Sequence, residues 1–371
     1  MYLDRLARRL EELDRLDRRR VVRATSLAAE HDFSTNDYLG LARDPRVVAA
    51  FSSAARVGST GARLLSGAAI EHRALETELA AALGRESALL FSSGYLAATG
   101  TVAALAPHFD CVYSDAHNHA CLIDGIRLAR VEKVVYPHLD ASAIARDARS
   151  KLVVTESLFG MDGDRADVPR LLAALGPSDV LLVDEAHALG VEGARGSGLC
   201  AIANDARVVV IGTLSKAFGA AGGFVAAPAI ATDYLANAAR TFVYDTAMPP
   251  ATAAAALAAL RIATAGAGDA LRARLARTVV RVHAALAELG YARAGGDASH
   301  VVPIVLGSEA SALAIQERLL SLGVLAPAIR PPTVPRGTSR IRISLSASHD
   351  NADADALVAG LERCRTLAAT S

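Results

Sequence analysis

Short apolar runs recur through the middle of the chain, with helix-patterned stretches between them. The runs are Ala88–Phe91, Cys111–Tyr113, Val131–Tyr136, Leu152–Thr155, Val180–Val183 and Val208–Ile211. The helical stretches cover 70–83, 94–106, 119–130 and 167–175. A run with almost no polar face predicts a strand covered on both sides. Such strands separated by helices predict a mainly parallel central sheet with helices on both faces, an α/β fold. In sheets of this kind ligands bind beyond the carboxyl ends of the strands. The residues that follow each run are therefore where chemistry is expected.

The flanks differ in texture. Tyr2 to Arg20 places leucines at 3, 6, 10, 13 and 16, the spacing of an amphipathic helix. Phe33–Gly40 is polar and turn-prone, and Asp44-Pro45 marks a helix start with proline at its first position. Beyond about 245, helical stretches over 250–288 precede a strand at Val301–Leu306 and a helix at 309–322. A strand at Ser339–Ser344 and a last helix over 351–367 follow, which predicts a smaller C-terminal α+β domain. The expected organisation is an N-terminal helix and arm over 1–40, a large domain over 41–245 and a small domain over 246–371.

Composition narrows the function classes. Over 371 residues, 39 Lys+Arg balance 39 Asp+Glu. A zero net charge argues against a nucleic-acid partner. The scattered Cys111, Cys121, Cys200 and Cys364 lack metal or redox spacing, so no metal site is expected and a reduced, cytoplasmic setting is. The apolar run Met248–Leu260 is too short to span a bilayer, so no membrane role is expected. The lysines are Lys133, Lys151 and Lys216 alone, which makes any lysine in a motif conspicuous.

Four strand ends carry candidate chemistry. Val183-Asp184-Glu185-Ala186-His187 puts a carboxylate at the end of an apolar run. Alone, Asp184 could cap a turn; in a site it could hold a pyridine nitrogen protonated, making the ring of pyridoxal 5'-phosphate (PLP) an electron sink. Gly212-Thr213-Leu214-Ser215-Lys216 places the lysine in an uncharged segment, with Gly219, Gly222 and Gly223 behind it. A desolvated lysine there suits Schiff-base chemistry. Asp184 and Lys216 lie one β-α-β step apart. Ser93-Gly94-Tyr95 is either a plain turn or a helix N-terminus able to hold phosphate. His119 opens a helix after the strand at Cys111–Tyr113 and could stack on a planar cofactor, whereas His117 reads as an ordinary loop residue.

Taken in order, these segments resemble the α-oxoamine synthase family of PLP-dependent enzymes, of fold type I. The resemblance runs from Phe33–Gly40 through Gly58–Gly61, Ser66-Gly67, Thr155-Glu156 and Met161–Asp164 to Arg330–Pro335 and Arg340–Arg342. It implies an acyltransferase in which Lys216 holds the cofactor, Asp184 partners the ring nitrogen, His187 bonds the ring hydroxyl and His119 stacks on the ring. It assigns catalysis to Lys216, His119 and Asp184. Gly94, Tyr95 and Thr213 are expected at the phosphate. Thr246, in Tyr244-Asp245-Thr246, is expected at a neighbouring subunit's cofactor, which implies a homodimer. Arg18, Asn36, Thr333 and Arg342 are expected at substrate.

Ile329-Arg330-Pro331-Pro332-Thr333-Val334-Pro335 points to the branch that condenses L-alanine with a pimeloyl thioester, on CoA or an acyl-carrier protein, in biotin biosynthesis. The alternatives are a sibling synthase using glycine or serine with another thioester, an aminotransferase of the same fold, and a non-enzymatic binding protein. Two departures stand out. Gly160 replaces the family's common serine, so a cofactor contact is lost unless Ser157 supplies it. Ala188 replaces a common glycine and could shift its loop or narrow the acyl site.

Overall fold

A computed structural model describes residues 1–22, 29–203, 205–291 and 298–365. These divide into two compact units, one of 37–160 and 164–273 and one of 1–36, 161–163 and 274–371.

The larger unit is built on seven strands. They are β1 (Ser87–Phe91), β2 (Cys111–Asp115), β3 (Lys133–Tyr136), β4 (Lys151–Glu156), β5 (Val180–Asp184), β6 (Val208–Thr213) and β7 (Gly223–Ala227). Their order across the sheet is β1-β7-β6-β5-β4-β2-β3. The pairs among β2 to β6 are parallel, and β7 runs antiparallel to both its neighbours. All six expected strands form. The seventh lies where the glycines behind Lys216 suggested only loop: Gly223 starts a strand that is buried along its whole length.

Residues of β4 and β6 are buried throughout, as continuous apolar runs require. Leu152, Val154, Leu182, Val209, Ile211 and Val225 pack with Ala97, Ala98, Val102 and Leu122 from the helices Gly94–Leu105 and Ala120–Ala129. Because β2, β4, β5 and β6 are parallel, Asp115, Glu156, Asp184 and Thr213 finish on one edge of the sheet.

The expected boundary at 245/246 moves to 273/274. The helix Pro250–Thr264 packs against the helices Pro45–Ser52 and Ile70–Ala82, so its buried alanines belong to the large unit. The next helix, Gly266–Glu288, contains the boundary. No single helix among the described residues is long and apolar enough to cross a membrane.

The smaller unit contains an antiparallel sheet in which β10 (Ser339–Ser344) lies between β8 (Val301–Gly307) and β9 (Ala328–Ile329). The helices Glu309–Ser321 and Asn351–Glu362 belong to it. The N-terminal helix forms over Tyr2–Arg15, but none of its residues is buried, and Leu3, Leu6 and Leu10 are exposed.

Candidate active site

Lys216 sits in a hairpin loop joining β6 to β7. Leu214 N–H donates to the Gly222 carbonyl at 3.0 Å, and Gly219 N–H donates to the Lys216 carbonyl at 2.8 Å. Gly219 and Gly222 take φ of 60° and 112°, a region that glycine tolerates best. The loop brings Lys216 Nζ within 2.7 Å of His187 Nε2. On the other side of that ring, the Tyr38 hydroxyl lies 2.6 Å from Nδ1.

Two carboxyl groups stand beside this chain. Asp184 ends β5 and accepts the Ala186 N–H at 2.9 Å. Glu156 ends β4 opposite Asp184 and accepts the His119 N–H at 2.8 Å. Burial raises the Asp184 pKa, while Lys216, whenever it is protonated, and the Ala186 N–H oppose it. Burial and the Asp184 charge push Glu156 up to about 8. A buried carboxylate of this kind is stabilised by any cation brought against it. His119 caps the helix Ala120–Ala129 through its side chain, and its residue surface remains accessible.

Gly94 begins its helix behind the cap Ser93, whose Oγ accepts the Leu96 N–H at 3.2 Å. A Cβ on Gly94 would lie 2.9 Å from Thr213 Cβ, and one on Gly223 would lie 2.5 Å from Gly94 Cα. Only without both does the helix N-terminus close onto the ends of β6 and β7. The amides of the first turn then meet the Thr213 hydroxyl, a cradle suited to a phosphate dianion. The large unit therefore supplies this phosphate cradle, a buried carboxylate for a ring nitrogen, an accessible imidazole and an amine for an aldehyde. This donor set fits PLP.

The other expected residues fall in different places. Tyr95 donates its hydroxyl to Asp124 and is 44% exposed, so only its backbone suits the cradle. Thr246 is exposed, bridges backbone-to-backbone with Ala62 and makes no hydrogen bond to the Lys216 group. Asn36, Thr333, Arg18 and Arg342 belong to the smaller unit. There Arg342 Nη1 donates to Asn36 Oδ1 at 3.1 Å and to Ser344 Oγ at 2.7 Å.

Arg18, expected at the acyl substrate, instead binds Glu309 through Nε at 2.9 Å and Nη2 at 2.5 Å. That ion pair holds the Glu309 carboxyl below its ordinary range. Arg20 is the one that reaches Thr333, with Nη2 3.2 Å from Oγ1.

Both sequence departures acquire a physical reading. Ser157 cannot stand in for the missing hydroxyl, because it donates to the buried Glu185 at 2.9 Å. A Cβ on Gly160 would lie 2.2 Å from His187 Nε2, so the imidazole uses the space a serine would need. Ala188 is fully buried and narrows no open space.

Lys151 is 2% exposed and paired with Asp147 at 2.9 Å. It starts β4 at the sheet edge away from the site. His117 is an exposed turn residue whose ring stacks on His138 at 3.9 Å.

Two site residues escaped the sequence reading. Glu156 ends a strand, so the rule that selected Asp184 could have selected it. Tyr38 lies in a polar, turn-prone segment that also carries the resemblance, and no pattern there signals that its ring is buried.

Fold and site together define a PLP-dependent transferase of fold type I. The model of the family "aminotransferase class I and II" matches residues 30–361. An 8-amino-7-oxononanoate synthase of Burkholderia thailandensis is 43% identical, covering 96% of each chain. One from Anaeromyxobacter dehalogenans is 48% identical over 88% of this chain and 84% of its own. Among solved structures, a serine palmitoyltransferase from S. paucimobilis with bound PLP and myriocin superposes with a TM-score of 0.86 at 28% identity, covering 92% of this chain and 88% of that one. An 8-amino-7-oxononanoate synthase from Francisella tularensis gives 0.75 at 26%, covering 90% and 97%. The chain belongs to the 8-amino-7-oxononanoate synthase family of α-oxoamine synthases.

Proposed function

We propose that the chain condenses L-alanine with a pimeloyl thioester, releasing 8-amino-7-oxononanoate, CO2 and a free thiol, in biotin biosynthesis. The observation that carries this is the 43% identity to a synthase of that name over 96% of both chains. The acyl carrier is CoA or an acyl-carrier protein, the setting cytoplasmic and the working form a homodimer. The exposed Tyr244 and Thr246 would face the second subunit.

PLP, when bound, supplies the electron sink that makes a carbanion at the amino-acid Cα accessible. The residues of this chain do the rest. Lys216 would hold the cofactor at rest and, once free, would take the Cα proton on Nζ and later return one. Asp184 would be the anion that keeps the ring nitrogen protonated. His119 would cover the ring, and His187, steadied by Tyr38, would hold the ring hydroxyl. The first-turn amides of Gly94 and Tyr95, with Thr213, would bind the phosphate. The family resemblance assigns the amino-acid carboxylate to Arg342, whose planar fork suits it, and further substrate contacts to Asn36 and Thr333.

The test is a panel of alanine, glycine and serine against pimeloyl-, acetyl-, succinyl- and palmitoyl-CoA and pimeloyl-carrier protein, with CO2 and product mass measured. Alanine with a pimeloyl thioester should dominate. Preferential turnover of serine with palmitoyl-CoA would place the chain with the palmitoyltransferases. Amino-group transfer without CO2 would make it an aminotransferase.

A further inference from the structure

We infer that Tyr38 is a positioning residue that sets the tautomer of His187 and thereby keeps Lys216 uncharged for capture of PLP. Tyr38 is fully buried, and its hydroxyl lies 2.6 Å from His187 Nδ1. His187 Nε2 lies 2.7 Å from Lys216 Nζ. The three groups form one chain with the imidazole at its centre.

The direction of the hydrogen bonds follows from the chemistry of the groups. A phenol, the stronger donor, gives its proton to a neutral imidazole nitrogen. Nδ1 is then the acceptor, and the ring proton sits on Nε2. An Nε2–H aimed at an ammonium would oppose two donors with no acceptor between them. Aimed at a neutral amine, it donates to the nitrogen lone pair. Tyr38 thus favours the uncharged form of Lys216 from two contacts away. Gly160 makes the arrangement possible, since a Cβ there would lie 2.2 Å from Nε2.

The other groups around Lys216 act differently. Asp184 and Glu156 favour the ammonium, although burial raises the pKa of both and so weakens their pull. The His119 ring is nearby, and burial keeps the Cys121 thiol protonated. His187 is the partner in direct contact.

Capture joins Nζ to the aldehyde carbon of PLP. The nitrogen lone pair makes the new bond, and the carbonyl oxygen leaves as water with both amine hydrogens. Only the uncharged amine reacts. The inference rests on Lys216 being the cofactor lysine, and not on alanine or the pimeloyl group.

The experiment follows PLP capture by the full chain stripped of cofactor, across pH 6 to 10. Absorbance gives the rate, and borohydride trapping with peptide mass locates the adduct. Wild type, Tyr38→Phe, His187→Ala and the double variant are compared. Tyr38→Phe should move the pH midpoint of capture up by about one unit, about tenfold slower capture at neutral pH. It should add no shift in the His187→Ala background. An unchanged midpoint overturns the inference, even with slower capture, because a merely structural role would lower the rate at every pH. An equal shift in the His187→Ala background overturns it too. An adduct on another lysine would instead defeat the assignment of Lys216. Failure of the thioester panel would leave this test untouched.

Discussion

His138 provides a test of the electrostatics of the large unit. Its Nδ1 lies 2.8 Å from Asp115 Oδ1 and its Nε2 3.1 Å from Asp164 Oδ2. A carboxylate at each nitrogen requires both to donate, which only the imidazolium can do. Burial opposes the charge, but the two carboxylates outweigh it and raise the pKa from 6.5 to about 9. Because the folded value is the higher one, the stabilisation is complete below pH 6.5 and disappears as the pH rises through 9. A shift of this size corresponds to roughly 3 kcal/mol at pH 6, about half that at pH 8 and close to zero at pH 10. The side chain of His138 is 17% exposed, so solvent screening takes little from this figure.

The perturbation is His138→Gln, and the assay is urea unfolding of wild type and variant at pH 6, 8 and 10. The variant also leaves two poorly paired carboxylates, which displaces the whole difference. The pH dependence of the difference is therefore the quantity to read. It should shrink by about 3 kcal/mol from pH 6 to pH 10. A difference that stays level across that range would refute the reasoning and place a neutral imidazole at this position.

Other expectations concern the active site. Lys216→Ala should lose turnover and the visible absorbance of the bound cofactor; near-normal turnover would remove Lys216 from the chemistry. Asp184→Asn should bind PLP yet fall in kcat by at least about a hundredfold, the scale of losing a positioned proton-holding group. Gly94→Ala puts a methyl 2.9 Å from Thr213 Cβ, so PLP affinity, measured by titration, should weaken by about tenfold or more while the fold persists. Gly160→Ser should displace His187 rather than restore a family contact, and should slow PLP capture instead of tightening binding.

Much of the fold was legible because buried parallel strands announce themselves as apolar runs. Val208–Ile211 needed no further clue. Gly223–Ala227 was hidden because Gly223 continues the glycine-rich loop before it, and strand pairing rather than propensity makes it a strand. The boundary slipped because Pro250–Thr264 is Ala-rich, and alanine identity does not reveal which unit a helix packs on. The grouping of Asp184, His187 and Lys216 was legible from strand-end position. Tyr38 and the Gly160–His187 fit were not, since both depend on approaches between segments far apart in sequence. Arg18 shows the converse. The resemblance put Arg18 at the acyl substrate, whereas the partner it holds in the fold, Glu309, lies 291 residues away.

The antiparallel strand β7 has a consequence for how such an enzyme can change. Thr213 and Gly223 are paired across β6 and β7, and Gly223 is also paired with Phe91 at the end of β1. The lysine loop and the helix Gly94–Leu105 are thus tethered to the same three strand termini. Loop length acts as a ruler between the amine and that helix N-terminus. Lengthening the hairpin between 214 and 222 by one residue would leave the apolar core and its strand register untouched while moving the amine off its mark. Foldability and reactivity are separable there, and a descendant of this chain with a longer loop would remain a stable protein.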